Sequence, residues 1–178
     1  VMRRLVGEEV LLFNGRDGEW RAEIQEIKKN HALLNPIQQR RAQSDDIDIQ
    51  LWFAPVKKIQ TALIVQKATE LGVSALIPVQ TVRTNADRLR EEKMQLQAIE
   101  AAEQCERLTV PEIRRLQKLD QVLKAIEADR VLVFCHERSD AENPVAVLSK
   151  LIGNQKFAVL VGPEGGVTDC LLYNSPSP

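Results

Sequence analysis

Residues 157–166 are FAVLVGPEGG, an apolar run that leads directly into a loop of three glycines, a proline and a glutamate. An uninterrupted apolar run is typical of a strand buried on both faces, which occurs mainly in parallel sheets. The segment GPEGG (162–166) cannot continue such a strand. In open parallel sheets ligands bind beyond the carboxyl ends of the strands, so this loop lies where a binding loop is expected. A tight turn with Glu164 in solvent is the competing interpretation.

The loop matches neither of the common phosphate-binding patterns. No Lys-Ser or Lys-Thr pair follows the glycines, and the spacing GxGxxG is absent. Glycines nevertheless let a ligand approach the backbone closely, and Pro163 fixes one backbone angle. The residues alone therefore leave the ligand open.

Strands and helices alternate over 49–165, upstream of this loop. This alternation predicts a parallel α/β sheet with helices on both faces. Gly72 is expected to end the first helix, Asp120 to cap a short one, and Asn143 with Pro144 to open the last. The predicted strands are 49–55, 75–79, 131–134 and 157–162. The two long predicted helices are 59–71 and 91–108. The second helix has an apolar face formed by Met94, Ala98, Ala101, Ala102 and Cys105.

Residues 1–44 have a different pattern, which predicts a small β module. EVLLF (9–13) and EWRAEIQEI (19–27) flank the pairs Asn14-Gly15 and Asp17-Gly18, which are strong hairpin signals. Residues 32–34 and the Pro36 region could add short strands. Because so small a sheet cannot bury both faces alone, we expect a barrel-like arrangement. The polar stretch 40–48 predicts a linker, which gives domains at 1–44 and 49–178 joined by residues 45–48.

The composition is that of a soluble protein. The 178 residues carry a formal net charge of −1, so any contact with nucleic acid must come from a local basic patch. Three cysteines without metal-ligand spacing predict a reducing, cytoplasmic setting, no bound metal and a packing role for the thiols. No apolar run approaches the roughly 20 residues that span a bilayer, so no membrane contact is expected.

Four segments together resemble one family. They are LLFNGRDGEWRAEI (11–24), QKATELGVSALIPVQTVRT (66–84), AAEQCERLTVPEI (101–113) and LVGPEGG (160–166). Their order and spacing are similar to those of the RsmE family, the 16S ribosomal RNA uracil-N3 methyltransferases of the knotted SPOUT superfamily. The resemblance implies a PUA-like β-barrel that grips RNA and an α/β knot domain that binds S-adenosyl-L-methionine. It also implies a homodimer that acts on the small ribosomal subunit.

The resemblance further implies roles for individual residues, although each has a plainer interpretation as a solvated or structural group. No catalytic base is identified; Glu137 and Glu164 are candidates by location only, and His136 is expected to be structural. The implied cofactor-binding residues are Phe134, Glu137, Leu160, Val161, Gly162, Pro163, Glu164, Gly165 and Gly166. The implied RNA-binding residues are Arg3, Arg4, Lys57, Gln66, Lys67, Arg83 and Arg107.

The chain departs from the family pattern at its ends. Val167 replaces an aromatic residue, and the segment that would thread the knot does not follow Asp169. We therefore expect a chain truncated at both ends with an incomplete knot. The alternative to an active methyltransferase is a truncated, catalytically inactive RNA-binding homologue.

Overall fold

The computed structural model describes residues 4–44, 47–81, 89–135, 143–151, 153 and 156–162. Within them the strands form two separate sheets, a three-stranded antiparallel sheet followed along the chain by a parallel sheet. The change from hairpins to strand–helix alternation that the sequence predicts is confirmed. Residues 163–178, on which the prediction of an incomplete knot depends, lie outside the described residues.

The antiparallel sheet consists of β1 (Glu9–Phe13), β2 (Glu19–Ile27) and β3 (Ala32–Arg41), in that spatial order. The predicted β1–β2 hairpin is confirmed, and its turn is held by the side chain of Asn14. Asn14 Oδ1 accepts hydrogen bonds from the backbone N–H groups of Arg16 at 3.0 Å and Asp17 at 2.8 Å. This is the local side-chain bonding that makes asparagine a turn residue.

The third strand differs from the prediction of separate short strands around Pro36. Residues 32–41 form one continuous strand, and Pro36 pairs with Ala22 within it. Proline is tolerated there because β3 is an edge strand of the described sheet, where the missing N–H faces no partner. The predicted linker 40–48 is correspondingly too long, since β3 ends at Arg41 and the next strand begins at Asp48. The described strands of this module form a three-stranded antiparallel sheet, in agreement with the predicted small β module.

The parallel sheet has the strand order β6-β5-β4-β9-β8, and β7 also pairs with β5. Every pairing in this sheet is parallel. The elements in chain order are β4 (Asp48–Phe53), α1 (Lys58–Glu70), β5 (Ala75–Gln80), α2 (Glu91–Gln104), β6 (Glu112–Ile113), β7 (Gln117–Lys118), α3 (Leu119–Lys124), β8 (Val131–Cys135), α4 (Pro144–Ser149) and β9 (Lys156–Val161). The sequence predicted all of these except the two-residue strands β6 and β7.

The parallel sheet is covered on both faces, as its apolar strands predict. One face packs against α1 and α2 through a cluster that includes Phe53, Val65 and Met94. The other face packs against α3 through a cluster that includes Trp52 and Ile77. Alternate residues of β4 thus enter opposite cores, which fixes the register of the central strand.

Helices α1 and α2 end in the same way but use different residues. After α1, the N–H of Gly72 bonds to Thr69 O and that of Val73 to Ala68 O, with Gly72 at φ +88°. After α2, the corresponding bonds run from Glu106 to Glu103 and from Arg107 to Ala102, with Glu106 at φ +56°. Both are Schellman motifs. The α1 prediction is confirmed, whereas the prediction that α2 reaches Leu108 is wrong because no glycine marks its end.

Two smaller expectations are also wrong. Lys118 and not Asp120 is the N-cap of α3, and Asp120 lies inside the first turn. Cys105 and Cys135 are exposed and so are not packing residues. Asn143 does cap α4, since its Oδ1 accepts a 3.0 Å hydrogen bond from the N–H of Val145.

Candidate functional site

Three neighbouring strands of the parallel sheet, β4, β9 and β8, end side by side at its carboxyl edge. Phe134 of β8 and Trp52 of β4 both pair with Leu160 of β9. One residue further on, Cys135 and Phe53 both flank Val161. The expectation that the segment after β9 begins beside the end of β8 is therefore confirmed for the described residues.

The side chains at this edge divide between the two faces of the sheet. Leu160 is only 4% exposed in the cluster with Trp52, and Phe134 packs against that cluster. The side chain of Val161 is 42% exposed. The carbonyl of Val161 accepts a 3.2 Å hydrogen bond from the N–H of Ala54, which extends the ladder past β4. A ligand at this edge would therefore meet Leu160 through its backbone and Val161 through an accessible apolar side chain.

Gly162 is the last described residue of this segment and is half-buried. The absence of a side chain leaves its backbone open to close approach by a ligand. The remaining predicted cofactor contacts, Glu137, Pro163, Glu164, Gly165 and Gly166, lie outside the described residues, as does His136.

Most of the described RNA-binding candidates already have partners within the chain. The guanidinium of Arg4 lies 3.7 Å from the carboxylate of Glu8. Gln66 and Lys67 both donate to the carboxylate of Glu70, at 2.9 and 2.7 Å, and these hydrogen bonds lower the pKa of Glu70 below its usual range. Lys57 is exposed at the N-cap of α1. Arg3 and Arg83 lie outside the described residues.

Arg107 joins the ends of two helices. It is the last residue of the Schellman motif of α2, and its Nη1 donates a 2.9 Å hydrogen bond to the carbonyl of Thr69 near the end of α1. Its Nε donates a 2.7 Å hydrogen bond to Thr109 Oγ1. This geometry gives Arg107 a structural role in holding α1 against α2.

Two surface depressions contain cationic residues that the sequence did not single out. A depression of about 300 Å³ lies between the first turns of α1 and α2, and Lys58, Arg90 and Lys93 are among its lining residues. A more polar one of about 490 Å³ lies on the antiparallel sheet, lined by Glu9, Arg21, Gln38, Gln39 and Arg40. Neither set is contiguous in sequence, so no local motif could reveal them.

A hydrogen bond links the antiparallel sheet to the end of α2. Arg41 at the end of β3 donates from Nη2 to Glu19 Oε2 at 2.7 Å and to the carbonyl of Glu106 at 2.9 Å. The pKa of Glu19 is lowered mainly by this hydrogen bond from Arg41. The αL conformation of Glu106 thus places an accepting carbonyl where the antiparallel sheet meets the end of α2.

Neither a metal cluster nor a spanning helix is found in the described part of the chain. Over these residues, no group of three or more His, Cys, Asp or Glu side chains is arranged to hold a metal ion. No described helix is long and apolar enough to cross a membrane. The absence of a bound metal remains a prediction.

The sequence matches two family profiles that divide it much as the two sheets do. Residues 1–37 match a family described as the RNA methyltransferase PUA domain, and residues 43–170 match the RNA methyltransferase domain. The second match covers more than half of the chain.

Similar proteins with names or structures agree with these profiles. The ribosomal RNA small subunit methyltransferase E of Rickettsia conorii is 31% identical over 95% of this chain and 68% of its own length. The structure of a Legionella pneumophila methyltransferase in complex with the bound cofactor SAM has a TM-score of 0.74 at 27% identity, covering 94% of this chain and 70% of that one. The Neisseria gonorrhoeae ribosomal RNA small subunit methyltransferase E, bound to S-adenosyl methionine, has a TM-score of 0.78 at 22% identity, covering 96% and 72%. At 22% identity, the similarity to the Neisseria gonorrhoeae structure shows a shared fold.

Proposed function

The chain belongs to the family of the ribosomal RNA small subunit methyltransferases E, and on that premise we propose that it methylates 16S ribosomal RNA at N3 of a uridine with S-adenosyl-L-methionine as methyl donor. The observation that carries the proposal is the meeting of β4, β8 and β9 at one carboxyl edge inside the segment that matches the RNA methyltransferase domain. Ligand sites of open parallel sheets lie at such edges.

The described residues at this edge fit the cofactor. Val161 offers an accessible apolar side chain for the purine, Phe134 offers its backbone at the neighbouring strand end, and Gly162 lets the backbone approach the ribose or the amino acid part. When bound, the cofactor supplies an electrophilic methyl group on a sulfonium. We assign the same role to Pro163, Glu164, Gly165, Gly166 and Glu137, which the family resemblance places in this pocket.

The reaction needs little covalent chemistry from the protein. The N3–H proton of uracil leaves to a base, the N3 lone pair forms the new N–C bond, and the C–S bond breaks to give the neutral thioether. Alignment of the two reactants supplies most of the acceleration, on the order of several kcal/mol in well-oriented reactions. Cationic groups that favour the uracil anion add to it. The base remains unassigned.

The antiparallel sheet supplies a surface for the RNA. The depression on that sheet combines Arg21 and Arg40 with the amides of Gln38 and Gln39. Arg21 Nε is a buried donor without a hydrogen bond within the described residues, and it lies 3.6 Å from Glu9 Oε2. Phosphate oxygens are the usual acceptors for the accessible guanidinium and amide groups of such a surface. Together with Arg3 and Arg4 this sheet would grip the RNA backbone.

In the α/β region we assign RNA contacts to Lys57, Gln66, Lys67 and Arg83. Of these, Lys57 is exposed, and Gln66 and Lys67 would reach RNA only by sharing or leaving Glu70. Arg107 would act indirectly through its hydrogen bond to Thr69.

We further propose a cytoplasmic homodimer that uses α1 at its interface. Ile59 and Leu63 lie four residues apart on this helix, with 83% and 54% of their surface exposed. Side chains at this spacing share a face. An apolar face of this kind suits a self-complementary contact. We also retain the division into a β module over 1–44, a linker over 45–48 and a methyltransferase domain from residue 49.

The test is methyl transfer to small ribosomal subunits from a strain that lacks the endogenous enzyme. The protein, with methyl-labelled cofactor, is expected to label 16S ribosomal RNA. Because N3 is the uracil donor in base pairing, primer extension should stop at the modified base, and mass spectrometry of the nuclease digest should identify 3-methyluridine.

The same assay separates the two candidate functions. Labelling of another uridine atom would keep the methyltransferase and reject the N3 assignment. RNA binding without any transfer at saturating cofactor would favour the inactive RNA-binding homologue.

A further inference from the structure

The depression between α1 and α2 lies at the same edge of the sheet as the proposed cofactor site. Each helix follows a parallel strand, so its first turn lies at the carboxyl end of that strand. Val56, one of the lining residues, belongs to the loop that follows Phe53, and Phe53 pairs with Val161. The depression is therefore adjacent to the strand end that leads into Gly162.

Its lining combines an apolar base with a cationic rim. Three of the nine lining side chains are cationic, and none is acidic: Val56, Lys58, Thr61, Ala62, Leu89, Arg90, Lys93, Met94 and Gln97. Met94 is 4% exposed and belongs to the core that joins α1 to α2, so the base of the depression is rigid. We refer to this depression below as the α1–α2 groove.

The three cations are uncompensated in the described part of the chain. Lys58, Arg90 and Lys93 form no ion pair with any described residue. Glu91, which follows Arg90 in the sequence, lies 3.7 Å from Arg115 instead. Like charges that converge on one concave surface repel each other, so the arrangement is favourable when an anion enters.

We propose that the α1–α2 groove binds one nucleotide of the RNA substrate, next to the uridine that is methylated. Its phosphate would meet Lys58, Arg90 and Lys93, and its base or ribose would lie over Met94, Leu89 and Val56. A cavity near 300 Å³ is at the lower end of the range for small-ligand sites, which suits a single nucleotide. This inference rests on the proposed function, because it places the substrate of that site.

RNA is a better match than a free anion for two reasons. A site for inorganic phosphate alone would have no use for four apolar lining side chains, whereas nucleotides present both a charged and an apolar part. The groove also opens beside the strand ends of the cofactor site, so a strand held there continues toward the proposed methyl donor.

The test compares two double variants of the full chain. Lys58→Gln/Lys93→Gln removes two charges from the groove, and Lys118→Gln/Lys124→Gln removes two exposed charges on the side of the sheet where α3 packs. Binding of a fluorescein-labelled fragment of 16S ribosomal RNA is measured by anisotropy over a salt series. Far-ultraviolet circular dichroism and thermal unfolding establish that both variants fold.

The groove variant is expected to bind about tenfold more weakly, and its log–log salt slope should be smaller by up to about 0.7, the contribution of one phosphate contact to single-stranded RNA. The control should keep the slope and lose less than about threefold in affinity. Equal losses in the two variants would overturn the proposal, because the cations would then act only through overall charge.

Two further measurements locate the ligand and distinguish its source. Photo-crosslinking of the wild-type protein to RNA that contains 4-thiouridine should label the peptide that includes Leu89 and Lys93, and crosslinks confined to the antiparallel sheet would reject the groove. Uridine monophosphate should compete with the RNA better than inorganic phosphate. Equal competition by phosphate would identify a free-anion site and overturn the proposal.

Failure of this inference is separable from failure of the proposed function. If the groove variant binds RNA and methylates it like the wild type, the groove is rejected and the enzyme stands. If the wild-type protein neither binds nor methylates ribosomal RNA, the proposed function itself is rejected.

Discussion

The two sheets of this molecule are stabilised in different ways. The parallel sheet is buried on both faces, and residues such as Trp52 and Ile77 are at most 2% exposed. In the antiparallel sheet, only Ala22 and Ile24 are buried hydrophobic residues of the described strands, and nine of the ten residues of β3 are exposed. One sheet can thus be a rigid base for a cofactor site while the other keeps its polar surface available for RNA. The predictions below test this contrast, beginning with the largest effect.

Truncation of one isoleucine to alanine in each sheet is expected to give the largest difference in stability. Ile77→Ala removes a side chain that is 1% exposed in the core beneath α3 and is expected to lower the free energy of unfolding by about 3 kcal/mol. Ile37→Ala removes the same atoms from β3, where 45% of the side chain is exposed, and should cost less than about 1 kcal/mol. Denaturant unfolding measures both changes. Equal losses would mean that the antiparallel sheet has a core of its own.

Gly18 tests whether the antiparallel sheet depends on its turns. Gly18 has φ +76°, and a Cβ there would clash with the carbonyl oxygen of Arg41, so Gly18→Ala is expected to destabilise the protein by about 2 kcal/mol. Gly7→Ala is the control, because Gly7 has φ +88° but no atom within 4 Å of the added Cβ, so only the backbone strain of about 1 kcal/mol remains. Thermal unfolding of the two variants separates the clash from the strain. A Gly7 variant as unstable as the Gly18 variant would contradict the close contact with β3.

The ion pair at the opposite, amino edge of the parallel sheet makes stability depend on pH. Arg130 is buried and donates to both carboxylate oxygens of Asp48, at 2.6 and 3.0 Å, and these hydrogen bonds hold the pKa of Asp48 below its usual range. A lowered pKa stabilises the folded state above the ordinary carboxyl pKa of about 3.9, and the effect disappears as the pH falls through the lowered value.

Asp48→Asn is therefore expected to cost about 1 kcal/mol at neutral pH, at the low end for a charged hydrogen bond because the Asp48 side chain is 40% exposed. The difference in unfolding free energy between Asp48→Asn and the wild type should shrink as the pH falls below about 4. Asp17→Asn, in the exposed β1–β2 turn, is the control and should show a smaller difference. Unfolding measured across this pH range that gave a constant difference for Asp48→Asn would exclude the ionised pair as its cause.

The end of α2 should give the smallest effect. Glu106 adopts the left-handed conformation that Gly72 adopts after α1. Glu106→Gly is therefore expected to stabilise the protein by about 0.5 kcal/mol, because the relief of backbone strain exceeds the entropy that glycine adds to the unfolded chain. The carbonyl that accepts from Arg41 is part of the backbone and is retained. A loss of stability in thermal unfolding would show that the side chain of Glu106 contributes more than its conformation costs.

The two helix ends also show why some features follow from sequence and others do not. Gly72 predicts the end of α1 because glycine readily adopts the left-handed conformation. The same motif after α2 has Glu106 at that position, and glutamate does not predict a helix end. The convergence of the strands at Phe134 and Leu160 was predictable, since parallel strands joined by helices must end at one edge.

The α1–α2 groove was not predictable from local patterns. Lys58 lies in the first turn of α1 and Lys93 in that of α2, and cations at such positions are usually solvated. Only the packing of α1 against α2 through Met94 brings them to one surface. Likewise, no local pattern predicts the hydrogen bond from Arg107 to the carbonyl of Thr69, which depends on how α1 packs against α2.

The most direct test of the cofactor site is hydrogen–deuterium exchange of the protein with and without saturating S-adenosyl-L-methionine. We expect slower exchange in the peptides that cover 131–135 and 156–162, where β8 and β9 end at the carboxyl edge, and no change over 19–41 in the antiparallel sheet. Protection confined to the antiparallel sheet, or absent from both strand ends, would contradict the account.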